Sequence, residues 1–406
     1  MDLATDTITV IGANWCPDCR RAKEFLAQQR IAYEWVDLEQ HPEAIETVER
    51  INGGSRSIPT IVFPDGSHLT EPGNDELAEK LGLLRSAKMA SYDVIIIGGG
   101  PTGLTAAIYA ARENQSVLIV EKSAPGGQAG ITERLDNYPG FPDGVAGHDL
   151  ADRMRRQAER YGVEILQAVA VSQIKRDGEW LNVTTAAGET YQSRAVLVAT
   201  GSIYRRTGAE GEADLIGSGI HFCATCDGPF YRGAGEVLVI GGGNSGLEEG
   251  LFLTQFAAHV TVVEYADSLA GGRLLQDKVR AHPKMSVITN TKVVGFHSGE
   301  DGKLASVELE DRTTGERRHH EASGAFVFIG LDPNTDFLNG ELTLDERGFI
   351  VSDEQFRTNV PGVFVAGDVR RGSTKQLASA VGEGAAASIQ IRYHLDKLAA
   401  KEKVAT

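Results

Sequence analysis

The sequence predicts an α/β protein: a short mixed α/β unit followed by two βαβ units with glycine-rich turns. Three observations lead there. Residues 7–84 alternate apolar strands with helical stretches. Two later segments repeat one layout of strand, G-x-G-x-x-G turn, helix, strand and acid. Glycine supplies 47 of 406 residues, about 12% against an average of about 7%. Without a collagen period, that excess means tight turns and close backbone approaches to ligands.

In the first unit the apolar strand Ile8–Gly12 precedes Trp15-Cys16-Pro17-Asp18-Cys19, and a helical stretch runs to about Gln29. A second strand (Tyr33–Val36), a helix near Pro42–Asn52, the run Ile58-Pro59-Thr60-Ile61-Val62-Phe63, a turn at Pro64-Asp65-Gly66 and a closing helix at Asp75–Leu81 complete it. Arg85-Ser86-Ala87-Lys88-Met89-Ala90-Ser91 is short, polar and small, and reads as a linker.

From Tyr92 the repeat begins. Strand Tyr92–Ile97 leads into Gly98-Gly99-Gly100-Pro101-Thr102-Gly103, a helix through Arg112, and strand Ser116–Val120 ending at Glu121. Strand Glu236–Ile240 leads into Gly241-Gly242-Gly243-Asn244-Ser245-Gly246, a helix to about Phe256, and strand His259–Val263 ending at Glu264. In each copy the acid follows the first glycine by 23 residues. The first glycine permits the turn, the second lets backbone approach a pyrophosphate, the third lets helix pack on strand, and the helix N-terminus favours phosphate charge. Two dinucleotide sites are implied, one at Gly98, Gly100, Pro101, Gly103 and Glu121, the other at Gly241, Gly243, Asn244, Ser245, Gly246 and Glu264.

Composition narrows the partners. With 40 basic and 56 acidic residues the net charge is −16, so no broad cationic field attracts nucleic acid or anionic lipid. No apolar run reaches the 18 or so residues of a membrane span, and acids stand near the N-terminus where a signal peptide carries bases. A cytoplasmic protein is expected. The four cysteines form two C-x-x-C pairs, Cys16/Cys19 and Cys223/Cys226, which in a reducing compartment indicates redox chemistry or metal. A four-cysteine zinc site is disfavoured, because the pairs lie far apart in units that each make sense alone. No further ligand spacing accompanies them, so no metal is expected.

Gly126-Gly127-Gln128, Asp136-Asn137-Tyr138-Pro139-Gly140, Ala199-Thr200-Gly201, Cys223-Ala224-Thr225-Cys226-Asp227-Gly228 and Ala366-Gly367-Asp368 follow one another along the chain. In these motifs and their order residues 92–406 resemble a low-molecular-weight thioredoxin reductase. The resemblance implies an FAD domain (92–207 and 331–406) interrupted by an NAD(P) domain (208–330) that carries the redox pair, both Rossmann-like, in a homodimer. It further implies that Cys226 is the thiol nearest the flavin, that Cys223 exchanges with an outside disulfide, and that Asp227 serves as acid or base. Gly127, Gln128, Asn137, Thr200, Gly201, Gly330, Gly367, Asp368, Gln376 and Leu377 join the cofactor-binding set by the same resemblance.

Residues 1–84 resemble a glutaredoxin-like domain of thioredoxin fold, joined through the linker 85–91. W-C-P-D-C opens a helix after a strand, and Ile58-Pro59 follows about 40 residues on, where that family places a cis-proline opposite the dithiol. Physically, Cys16 at a helix N-terminus is expected to have a lowered pKa and act as nucleophile, with Cys19 one turn inside as the resolving thiol. Asp18 opposes this with its negative charge. Where glutaredoxins carry a glycine pair for glutathione, this chain has Pro72-Gly73-Asn74-Asp75.

Thioredoxin reductases using NADPH generally carry H-R-R-x-x-x-R after the second strand of the NAD(P) domain. This chain has Glu264-Tyr265-Ala266-Asp267-Ser268-Leu269-Ala270, and a carboxylate there accepts ribose hydroxyls and repels a 2′-phosphate. NADH is therefore expected. Leu275-Gln276-Asp277-Lys278, Ile329-Gly330-Leu331-Asp332-Pro333-Asn334-Thr335, Phe356-Arg357-Thr358-Asn359-Val360 and Lys375-Gln376 with Gly382-Glu383-Gly384-Ala385 look like the flavoprotein subunit of alkyl hydroperoxide reductase. That family uses NADH and relays electrons through its own N-terminal dithiol domain to a peroxiredoxin, although its central motif is C-P-H-C rather than C-A-T-C.

The sequence thus leads to an FAD-dependent disulfide reductase. Electrons are expected to pass from NADH through FAD and Cys226/Cys223 to Cys16/Cys19, then to a protein or small-thiol disulfide, with a peroxiredoxin or thioredoxin as candidates. The competing readings are an NADPH thioredoxin reductase with a tethered glutaredoxin substrate, and a ferredoxin-linked or redox-sensing flavoprotein without NAD(P)H turnover.

Overall fold

The computed structural model describes residues 7–405 apart from Glu133 and Asp136; the side chains of Cys226 and of residues 402–405 lie outside the described set. In the N-terminal unit β1 (Ile8–Gly12) leads into α1 (Pro17–Gln28), followed by β2 (Tyr33–Asp37), α2 (Ala44–Ile51), β3 (Thr60–Val62), β4 (His68–Thr70) and α3 (Asn74–Lys80). The sheet order is β2-β1-β3-β4, with β1 and β2 parallel and the other pairings antiparallel. Val10 and Ile61 from the sheet meet Ala22, Phe25 and Leu26 of α1 in a buried core, the expected result of apolar residues recurring along one helix face.

The second unit is a seven-stranded sheet. Its parallel part carries β5 (Ser91–Ile97) beside β6 (Val117–Val120), joined by α4 (Pro101–Arg112), a right-handed crossover being the rule for such connections. The strand Thr190–Val198 pairs with β5 on one side and with Val363–Val365, from much later in the chain, along its C-terminal half. Between those two strands the chain builds a five-stranded parallel sheet, ordered Ile220–His221, Gly324–Val327, Glu236–Ile240, His259–Val263 and Met285–Ile288, plus a three-stranded antiparallel sheet. A two-stranded ribbon, Ser202–Tyr204 against Leu331–Pro333, marks where the chain leaves and returns. The central strands of both parallel sheets are near-continuous apolar runs, Val94–Ile97 and Val237–Ile240, because both faces are covered.

One helix departs from expectation. The helix after the second glycine turn spans Asn244–Leu253 and ends three residues before Phe256. The Thr254 hydroxyl donates to Leu251 O at 2.6 Å, a local bond that competes with helix continuation, and Gly233 N–H takes Phe256 O. Among the described residues no helix is long and apolar enough to cross a membrane.

The linker is strapped down rather than loose. Ser86 Oγ donates to Glu189 (2.8 Å), Ala87 N–H to Tyr191 Oη (3.1 Å) and Lys88 N–H to Glu164 (3.0 Å). Gln167 N–H donates to Leu84 O at 2.8 Å, Arg85 pairs with Asp75 at 2.6 Å, and Ala168 packs on the N-terminal core. The buried Tyr191 hydroxyl also donates to Glu189 at 2.9 Å. Tyr191→Phe is expected to free the strap by about 1 kcal/mol, raising tryptic cleavage at Lys88 roughly fivefold; an unchanged cleavage rate would show that this hydroxyl does not hold the linker.

Candidate functional site

At the N-terminal dithiol, Cys16 is the N-cap of α1 and Pro17 its first residue, a position that suits a preset φ. Cys16 Sγ accepts the Cys19 N–H at 3.2 Å, and its thiol donates to Ile58 O at 3.7 Å, the carbonyl that precedes the cis-linked Pro59. Trp15 is exposed beside them, whereas Cys16 and Cys19 are buried and carry free thiols. Burial pushes the Cys19 thiol up to about 12, and the hydrogen bond with Cys16 adds to the rise. The pair is therefore asymmetric: one sulfur is held by a helix N-terminus and the other is kept protonated. Gly12 makes this possible, because a Cβ there would come 2.5 Å from Cys19 Sγ.

The awkward charge of Asp18 has a partner. Arg21, one turn on, forms an ion pair with Asp18 and donates to Pro72 O at 2.8 Å. The (i, i+3) spacing is the signal that finds Arg21 from the sequence.

The two glycine turns share one geometry. Gly98 and Gly241 have φ of 105° and 114°, open to glycine alone in practice, and they back onto the Ala199 and Phe328 carbonyls. A Cβ on Gly103 or Gly246 would overlap the carbonyl of Gly98 or Gly241. Gly100 and Gly243 are the N-caps of their helices, with Pro101 or Asn244 and Ser245 next in line; a Cβ on Gly243 would meet open space and one on Gly100 would meet only Gly127 Cα, at 4.0 Å. Glu121, buried, accepts from Gly99 N–H (2.7 Å), Ser123 N–H (2.7 Å) and Ser123 Oγ (2.9 Å). Glu264 accepts from Gly242 N–H (2.5 Å) and Ala266 N–H (2.8 Å). Asn244 Oδ1 accepts the Gly272 N–H at 2.7 Å. An open helix N-terminus with a carboxylate 23 residues beyond the first glycine fits a dinucleotide in both turns.

The other expected residues are spread over several elements. Gly126 N–H donates to Gly99 O at 2.7 Å, which brings Gly127 and the exposed Gln128 alongside the turn. Thr200 Oγ1 donates to Asn334 O and Asn334 Nδ2 to Thr200 O, both at 2.8 Å, next to Gly201. Gly330 faces Arg205 at the ribbon. Gly367 N–H donates to Glu383 at 2.7 Å. Burial raises the Asp368 carboxyl against the opposing effects of Lys375 and of Ser373, whose hydroxyl donates to it at 3.1 Å. Gln376 precedes Leu377, the first residue of the C-terminal helix Leu377–Ala405.

Gln376 is where the sets meet. Its Oε1 accepts from Asn137 Nδ2 at 3.3 Å, and its Nε2 stands 4.0 Å from Cys223 Sγ. Cys223 is disulfide-bonded; the side chain of Cys226 is among those not described, and Asp136 likewise. Asp227 N–H donates to Cys223 O at 3.1 Å, closing the turn that opens Ala224–Asp227. Two residues the sequence reading missed organise this corner. His221 Nδ1 lies 3.5 Å from Asp227 Oδ2, and its Nε2 is 2.7 Å from the Tyr231 hydroxyl. Both rings pack on Phe326, and burial raises the Tyr231 hydroxyl's pKa. His221 stands two residues before Cys223, and a titratable ring so near a dithiol was the available signal.

Comparison with known proteins follows this division. The family model described as pyridine nucleotide-disulphide oxidoreductase matches residues 92–384, and the glutaredoxin model matches residues 8–69. A thioredoxin reductase of Streptomyces clavuligerus is 42% identical over 315 residues, 77% of this chain and 97% of that protein. One of Listeria innocua is 41% identical over 310 residues, 76% and 95%. Among solved structures, thioredoxin reductase from Streptococcus pyogenes superposes with a TM-score of 0.72 at 39% identity, covering 76% of this chain and 99% of that one. The enzyme from Giardia duodenalis gives 0.72 at 31%, covering 76% and 100%.

The asymmetric outer pair predicts an order of alkylation. In the reduced protein near neutral pH, iodoacetamide is expected to modify Cys16 at least about tenfold faster than Cys19, whose modification awaits unfolding. Peptide mass mapping reads this directly, and prior labelling of Cys19 would contradict it.

Proposed function

Because the chain belongs to the pyridine nucleotide-disulphide oxidoreductases, as a thioredoxin reductase-like disulfide reductase with a glutaredoxin module, we propose that it passes electrons from NADH through FAD and the Cys223/Cys226 couple to Cys16/Cys19, and on to a protein or low-molecular-weight disulfide. FAD, when bound, takes an electron pair from a pyridine nucleotide and hands it to a disulfide, chemistry that no side chain supplies unaided.

The residues divide the work. Gly98, Gly100, Pro101 and Gly103 with Glu121 hold FAD, and Gly241, Gly243 and Gly246 with Glu264 hold NADH. The observation that carries the reading is the Gln376 bridge, which joins the disulfide-bonded Cys223 to Asn137, a residue that the resemblance assigns to the flavin site. Asp227, in contact with His221, receives and returns the proton that the inner couple exchanges.

At the outer couple, the Cys16 thiolate attacks the acceptor disulfide. One acceptor sulfur leaves as a thiolate and takes a proton, and a mixed disulfide to Cys16 remains. Cys19 then loses its proton and attacks Cys16 Sγ, which releases the second acceptor thiol and leaves Cys16–Cys19 oxidised. Since Cys19 is kept protonated by burial, this second step quickens as pH rises.

Cys16 opens α1, and past its far end, about 18 Å away for 12 residues at 1.5 Å each, Arg30 donates to the Pro125 and Gly127 carbonyls of the loop beneath. The docked module therefore holds its dithiol away from the loop it rests on, a posture suited to an outside acceptor such as a peroxiredoxin or thioredoxin. Recharging from Cys223 then uses either release of the module or the neighbouring subunit of a homodimer.

NADH as donor rests on Glu264 and on the absence of arginine from Tyr265 to Ala270. NADPH is favoured by one observation: the Arg312 guanidinium lies 3.8 Å over the Tyr265 ring, and its Nη1 donates to Tyr265 O at 2.9 Å. Anaerobic titration followed by flavin absorbance separates the two. The expected result is NADH reduction with kcat/KM at least about tenfold above NADPH, a gap that narrows in Glu264→Ala. Equal or better use of NADPH, lost in Arg312→Ala, would establish the second reading. Gly246→Ala is expected to keep the yellow colour while losing NADH reduction by at least about a hundredfold, because its Cβ overlaps the Gly241 carbonyl.

A further inference from the structure

The end of α1 opposite the dithiol is built around an arginine in an unusual place. The helix closes with Arg30 N–H donating to Ala27 O (3.0 Å) and Ile31 N–H to Leu26 O (2.9 Å), the paired bonds of a Schellman motif. Arg30 occupies the left-handed position of that motif at φ 56°, which glycine fills with least strain. Its side chain leaves the module altogether. Nη1 donates to Pro125 O at 2.6 Å and Nη2 to Gly127 O at 2.9 Å, while Ala124 N–H returns a bond to Gln28 O at 3.2 Å. The receiving surface is cut to admit the guanidinium: a Cβ on Gly130 would overlap it, and one on Gly126 would come 2.9 Å from Nη1.

The gripped segment is the one that abuts the first glycine turn. Gly126 N–H is bonded to Gly99 O at 2.7 Å, and the Cβ position of Gly127 is 3.2 Å from Gly100 Cα. The peptide is planar, so fixing the Gly127 carbonyl also fixes the direction of the Gln128 N–H on the other side of the same bond. Burial lowers the hold of Arg30 on its proton and the Glu121 carboxylate offsets this only in part, so the cation belongs to the electrostatics of the turn.

We propose that Arg30 is a positioning residue of the flavin site supplied by the dithiol module: it clamps Pro125–Gly127 against Gly99 and Gly100, so FAD affinity depends on the module being docked. The inference rests on the reading that the first turn binds FAD. By linkage, bound FAD strengthens docking by the same factor, and a module that leaves to exchange electrons loosens the loop it leaves behind.

The test is FAD affinity of the full chain, measured by fluorescence quenching on reconstitution of the apoprotein. Arg30→Gly removes the guanidinium and gives the left-handed position its preferred residue, so the module keeps its fold. Its Kd for FAD is expected to rise about tenfold, with an intermediate rise for Arg30→Lys, which keeps the charge but not the two-pronged donor. The Cys16 alkylation rate is expected to stay unchanged. Gly130→Ala displaces the guanidinium from the other side, and it is expected to weaken FAD binding in the parent but to add nothing to Arg30→Gly. Parent-like FAD affinity in Arg30→Gly, or additive losses in the double variant, would overturn the clamp and leave the flavin reading intact; a parent chain that binds no FAD would overturn both.

Discussion

In each nucleotide-binding unit a glutamate at the end of the second strand reaches back to the N–H of the middle glycine of the turn, Glu121 to Gly99 at 2.7 Å and Glu264 to Gly242 at 2.5 Å. A hydrogen bond to a charged acceptor is worth about 1.5–3 kcal/mol, and here it sets the turn relative to the sheet. The surroundings of the first turn are assembled on that bond. Gly99 offers its carbonyl to Gly126, the Gly126–Gly127 segment takes its place beside Gly100, and Arg30 grips the segment from outside. The end of a helix in the N-terminal module thereby contacts a loop about 95 residues further along the chain.

The two sulfur couples differ in how they are held. Cys223 is in a disulfide within reach of Gln376, at the corner where His221, Tyr231 and Asp227 form a short polar chain on Phe326. Cys16 and Cys19 are free thiols at the start of α1, with one sulfur accepting a helix N–H and the other shielded in the core. Disulfide exchange requires the sulfurs to touch. A module docked through Arg30, with its dithiol at the other end of the helix, meets an outside acceptor and the inner couple at different moments. The strapped linker and the Arg30 contact both hold the module in this docked posture.

Much of this was legible in the residues themselves. The strands Ile8–Gly12, Glu236–Ile240 and His259–Val263 have their expected bounds because apolar runs flanked by glycine and polar breaks leave little choice of period. The helix after the second turn stopped early at Leu253, since Thr254 satisfies a carbonyl that the helix would have used, a competition invisible to periodicity. The carboxylates at Glu121 and Glu264 were found by spacing, but their bonds to Gly99 and Gly242 came only with coordinates. Arg21 was within reach of the helix pairing rule. Arg30 was not: locally it is an ordinary residue after a helix, and its acceptors lie about 95 residues away in the chain, beyond any local pattern.

The central claim is that electrons cross from the inner couple to the outer one, and trapping the crossing tests it most directly. In the chain carrying Cys19→Ser and Cys226→Ser, each couple lacks the thiol that would resolve the exchange, so mild oxidation leaves Cys16 and Cys223 to pair. The account predicts a Cys16–Cys223 linked peptide as the dominant disulfide by mass mapping, with the cross-linked species running on a non-reducing gel as monomer or dimer according to whether one subunit or two are joined. Oxidation that yields no such linkage, while each cysteine still reacts with a small disulfide, would contradict it.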